Sequence, residues 1–63
     1  MDNDLLVKLV RSEFAEVPGL RLTVAQATRR WGLNPDECQR AINELIDTSF
    51  LRRNARGEIL RTG

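Results

Sequence analysis

Two helix signals stand almost back to back in this chain, with Gly32 between them. Thr23 precedes an apolar-periodic run and has Gln26 three places on, the pattern of a capping box, in which side chain and backbone satisfy each other's early donors. That helix runs to Trp31, where Gly32 supplies the left-handed residue that ends it and Leu33 folds back onto it. Asn34 then caps a new helix at once, Pro35 fits its first position, and Glu37 completes a second capping box. Two helices with so short a connection, broken by a left-handed residue, must meet at a tight corner. The rest of the chain has to cover that corner.

The remaining segments read accordingly. A first helix is expected from about Asp4 to Glu16, with Leu6, Val10, Phe14 and Val17 at helical spacing and Leu5, Val7 and Leu9 beside them. Pro18 stops it and Gly19 allows the turn. Leu20 to Leu22 alternate apolar and polar, as in a short extended segment. On the third helix, which ends near Thr48, Cys38, Ala41, Ile42, Leu45 and Ile46 form an apolar stripe opposite Asp36, Gln39, Arg40, Asn43, Glu44 and Asp47. Phe50 to Arg53 and Glu58 to Arg61 read as strands joined through Asn54, Ala55, Arg56 and Gly57. The expected core is Leu6, Val10, Phe14, Leu22, Ala27, Trp31, Leu33, Ile42, Leu45 and Leu51. The fold class is α+β: three helices in a right-angled cluster with a small hairpin, all in one domain over residues 1–63.

The stretch from Val24 to Leu45 resembles a helix-turn-helix, with small Ala27 where the helices approach and Trp31 and Leu33 as apolar anchors about Gly32. The hairpin after the third helix extends the resemblance to the winged helix-turn-helix family. Pro-Gly-Leu-Arg-Leu-Thr from Pro18, Gln26-Ala27 and Trp31-Gly32-Leu33 are similar to small stand-alone bacterial winged-helix proteins. Thr28 departs mildly from the usual Ala or Gly inside the second helix, and its hydroxyl needs a partner. Ser49 stands at the helix exit where such proteins often carry Gly.

Composition excludes several functions. The 63 residues contain Cys38 as the only cysteine and no histidine, so no internal disulfide, cysteine-based zinc cluster or histidine base is expected. Cys38 lies on the buried stripe and reads as a small apolar filler. With no glycine-rich phosphate loop either, no enzymatic activity, metal or cofactor is expected. Asp2 and Asp4 have the wrong charge for a leader, no apolar run reaches membrane-spanning length, and a lone thiol suits a reducing, cytoplasmic setting. A chain this short has a thin stability margin and must hold together by packing, so a second copy is expected, with the broad apolar arc of the first helix giving Leu5 or Leu9 to a homodimer contact.

The net charge of +1 hides a segregated pattern. Arg21, Arg29 and Arg30 form one basic block, and Arg52, Arg53, Arg56 and Arg61 against Glu58 form another. The intervening third helix is acidic, with Asp36, Glu37, Glu44 and Asp47 against Arg40. Local fields of this kind govern binding more than the total does.

The resemblance implies that the third helix enters the major groove of DNA and that the wing lies along the backbone or minor groove. On that reading Asn34, Gln39, Arg40 and Asn43 face base edges, Asn and Gln suiting adenine and Arg suiting guanine. Arg52, Arg53 and Arg56 meet phosphate or the minor groove, and Arg29 and Arg30 grip the flanking backbone. The same residues have plainer readings. Asn34 is foremost a helix cap, Arg40 is spaced to pair with Asp36 and Glu44, and exposed hairpin arginines also blunt a sheet edge. The expected function is a small DNA-binding protein, a transcriptional regulator acting as a dimer. The acidic third helix argues against it and favours the alternative, a protein-interaction module that presents this helix to a basic partner. RNA binding through the basic wing ranks third.

Overall fold

A computed structural model describes residues 2–62 of the chain. Its element order is α1 (Asn3–Glu16), α2 (Val24–Trp31), α3 (Pro35–Asp47), β1 (Leu51–Arg53) and β2 (Ile59–Arg61). This is the expected α+β layout, three helices followed by an antiparallel two-stranded wing.

Each helix starts where the sequence supplies a partner for its free amides. Asp2 caps α1 by accepting from the Asp4 amide at 3.1 Å. At α2 both halves of the capping box form: the Gln26 amide donates to the Thr23 hydroxyl at 3.1 Å and the Thr23 amide to Gln26 Oε1 at 2.9 Å. Asn34 Oδ1 accepts from the Asp36 and Glu37 amides at 2.9 and 3.3 Å, which starts α3. Thr28 finds its partner inside α2, where its hydroxyl donates to the Val24 carbonyl at 2.8 Å.

The helix ends decide the corners. Gly32, at φ 62° and ψ 38°, adopts the left-handed conformation at the end of α2, and the Leu33 amide returns to the Thr28 carbonyl at 3.1 Å. The end of α3 is built the same way with a serine. The Ser49 amide donates to the Ile46 carbonyl at 2.9 Å and the Phe50 amide to the Leu45 carbonyl at 3.0 Å, the double closure of a Schellman motif. Ser49 has φ 66°, a conformation in which a side chain is strained against its own backbone.

The core is one cluster: Leu6, Val10 and Phe14 of α1, Ala27 of α2, Cys38, Ala41, Ile42 and Leu45 of α3, Leu51 of β1 and Ile59 of β2. Three expected core residues are placed differently. Leu22, Trp31 and Leu33 are only partly buried and pack against the outside of this cluster. Trp31 sits at the rim because its indole N–H needs an acceptor; it donates to Glu13 Oε1 at 3.0 Å while its ring meets Phe14 edge-on, centroids 6.1 Å apart. Leu33 lies in the open corner between α2 and α3. Leu22 lies at the edge of the sheet, and Ile59 beside it takes the interior place.

The strands are shorter than expected, beginning at Leu51 and Ile59. Their register pairs Leu51 with Arg61, Arg52 with Leu60 and Arg53 with Ile59. The extended segment from Leu20 contributes one bridge to this sheet, Leu22 to Ile59, with hydrogen bonds of 3.2 and 2.7 Å. That bridge ties the link before α2 to the wing after α3. Among the described residues no helix is long and apolar enough to cross a membrane.

Candidate nucleic-acid interface

Two surfaces hold the residues singled out from the sequence, and they differ in how firmly those residues are engaged. On α3, apolar residues at helical spacing turn one side to the core, which leaves Asp36, Arg40, Asn43, Glu44 and Asp47 exposed on the other. Gln39 is partly buried, and its Nε2 donates to Asn43 Oδ1 at 2.9 Å. These two amides, one helical turn apart, therefore bond each other. Asn34 Oδ1 is taken by the helix cap. Arg40, exposed, is the remaining group with a charge suited to guanine, and Asp36 and Glu44 stand one helical turn to either side of it in the sequence of α3. Asp36 and Glu37 sit in the first turn, where the helix dipole favours acid. Glu44 and Asp47 sit in the last turns, where it does not.

The wing is arranged in the opposite way. Asn54 organises its tip: Oδ1 accepts from the Arg56 amide at 2.9 Å and the Glu58 amide at 3.0 Å, while Nδ2 donates to Glu58 Oε1 at 3.0 Å. Gly57, at φ 80°, supplies the left-handed residue that returns the chain. The wing's one acidic side chain is thus held by Asn54. Arg52, Arg53 and Arg56 are exposed, and no carboxylate engages their guanidinium groups among the described residues.

The register separates these arginines. Side chains alternate across a strand, so Arg53 shares the face of buried Leu51, and Arg52 stands on the other face opposite Leu60. Arg56 lies in the turn at the tip. Arg29 and Arg30 are exposed in the last turn of α2, where cations also complement the helix dipole. The expected site residues therefore fall on three elements: α3, the wing and the end of α2.

Two arginines outside the expected set have a structural use. Arg11 and Arg61 approach the ring of Phe50 at 4.8 and 5.5 Å from its centroid, a pair of cation–π contacts that joins α1 to the base of the wing. The Thr62 hydroxyl donates to the Ser49 carbonyl beside them. Nothing in the local sequence signals this cluster, because Arg11 is far from Phe50 along the chain. Among the described residues no cluster of three or more histidine, cysteine or acidic side chains is arranged to hold a metal ion. No protein family, curated protein or solved structure matches the chain.

Proposed function

We propose that this protein binds duplex DNA, as a small transcriptional regulator whose wing supplies the affinity and whose third helix approaches the major groove. The observation that carries this reading is the wing: Arg52, Arg53 and Arg56 are exposed, with no carboxylate among the described residues engaging them, on a hairpin whose shape Asn54 fixes. Phosphate neutralisation by such groups releases counterions and gives affinity without sequence preference. Base reading falls to Arg40 and to Gln39 and Asn43, whose mutual hydrogen bond must open or point its remaining donors outward. Arg29 and Arg30 serve the flanking backbone.

Two copies of the chain suit this function. Leu5 and Leu9, one turn apart on α1, are 58% and 38% exposed and offer an apolar contact for the second copy.

The test is a salt titration of duplex binding with the wild type and the Arg53→Ala plus Arg56→Ala variant. The slope of log K against log salt is expected to flatten by about one unit for each lost phosphate contact. Equal binding by the two proteins at moderate salt overturns the DNA reading. A second reading is favoured by one observation, the acidic residues Glu44 and Asp47 exposed late in α3. It makes the domain a docking module for a basic protein surface, and it predicts little duplex affinity at physiological salt.

A further inference from the structure

The bridge between Leu22 and Ile59 has a result on the far side of the sheet. Ile59 is flanked by Leu22 on one side and Arg53 on the other, so three extended segments lie side by side at this point. Leu22 and Ile59 turn inward against the core. Their neighbours Arg21 and Leu60 must turn outward, because side chains alternate along an extended chain. Arg52, paired with Leu60, turns outward with them. The outer face therefore carries a row of Arg21, Leu60 and Arg52. The two arginines are exposed and the leucine is half-buried.

Neighbouring strands lie about 4.8 Å apart, which puts the backbones of Arg21 and Arg52 about 10 Å apart with Leu60 midway. No carboxylate among the described residues engages either guanidinium. We propose that this outer face is a binding surface for the sugar–phosphate backbone of duplex DNA, with Arg21 and Arg52 each on a phosphate and Leu60 against the deoxyribose between them. The chemistry of the row matches that ligand in order: anion, apolar ring, anion. Arginine holds phosphate through paired N–H donors at fixed geometry. Helix α3, acidic on its exposed face, then does not have to approach phosphate closely for the complex to form. Arg21 becomes a contact residue, although it precedes α2 and belongs to neither the wing nor α3.

This surface rests on the duplex-binding reading above, and one experiment separates the two. Fluorescence anisotropy with a labelled duplex of arbitrary sequence is measured across a salt series for the wild type, Arg21→Ala, Leu60→Ala and the Arg53→Ala plus Arg56→Ala variant. Circular dichroism melts confirm that each is folded. Arg21→Ala is expected to weaken binding to all duplex sequences alike and to flatten the salt slope by about 0.9. Leu60→Ala is expected to weaken binding with the slope unchanged, since it removes no charge. A wild-type slope for Arg21→Ala, with a flattened slope for the wing variant, overturns the outer-face proposal and leaves DNA binding by the wing intact. No duplex binding by the wild type overturns both. Polyglutamate that displaces the duplex at equal charge concentration identifies a general anion surface and overturns backbone recognition.

Discussion

Helix α3 and the wing leave the same core and sit next to each other in sequence, yet they treat their polar groups in opposite ways. On α3 the hydrogen-bonding side chains are used locally: Asn34 caps the helix, and Gln39 and Asn43 bond each other. Its charges are mostly acidic and exposed. On the wing one asparagine holds the turn and the one acidic side chain, Arg61 packs on Phe50, and no carboxylate among the described residues engages Arg52, Arg53 or Arg56. A helix needs side-chain partners for the amides its first turn leaves free, which occupies Asn34, whereas the ladder of the hairpin is made by backbone alone and draws on no arginine side chain. Of the two elements, α3 has the less available polar side chains, and the hairpin holds the unengaged charge.

The largest expected effect tests whether the two surfaces share one support. Phe14 is fully buried in the cluster that backs both α3 and the wing. Phe14→Ala should cost about 3–5 kcal/mol, enough to unfold much of a domain of this size. Thermal melts should show both surfaces lost together, and a melt close to wild type would mean that α1 does not hold them.

The two asparagines give the next comparison. Asn54→Ala removes three hydrogen bonds at the wing tip, and about 1–3 kcal/mol of stability is expected to go with them. Asn34→Ala removes a helix cap, worth about 1 kcal/mol. Urea titrations rank the two. If Asn34→Ala proves the more damaging, α3 and not the wing depends more on its asparagine. A smaller effect concerns charge. Glu44→Gln plus Asp47→Asn removes repulsion from the exposed side of α3 and should raise duplex affinity several-fold, less than the tenfold that corresponds to about 1.4 kcal/mol. The same variant should instead lose a basic protein partner if α3 is the docking surface, so anisotropy with duplex and with a polylysine probe distinguishes the two. The smallest effect lies where the regions join. Ser49→Gly relieves a strained left-handed residue and should stabilise the domain by about 0.5–1 kcal/mol in the same urea assay. A loss of stability would show that the serine contributes more than its conformation costs.

Much of the fold was legible because its signals are local. Thr23 with Gln26, Gly32, Asn34 with Pro35, and the Asn54 to Gly57 loop each act within a few residues, and each appears where the pattern places it. Ser49 was visible as a departure from glycine, and its positive φ is the physical counterpart. What depends on distant partners was not legible. Ile59 and Leu60 are adjacent apolar residues, and only the bridge to Leu22 decides which turns inward. For the same reason Leu22 was expected in the core, and Arg21 was counted in a basic block without being assigned a contact. Trp31 reads as a core anchor until its indole is seen to donate to Glu13, a residue of another helix. Phe50 between Arg11 and Arg61 likewise joins residues no local pattern connects.

The single rung between Leu22 and Ile59 has a mechanical meaning for the wing. A hairpin attached only at its base can swing, and a ligand that gripped it would have to pay the entropy of stopping that motion. Here the second strand is pinned from outside by two hydrogen bonds to the segment that leads into α2. The wing cannot tilt against α2 without breaking them, so it behaves as a fixed jaw whose angle the fold itself sets. The Ile59 amide, buried and bonded at 2.7 Å to the Leu22 carbonyl, reports on that jaw directly. Its hydrogen should exchange with solvent only when the whole domain opens, and not by local fraying at the end of a hairpin.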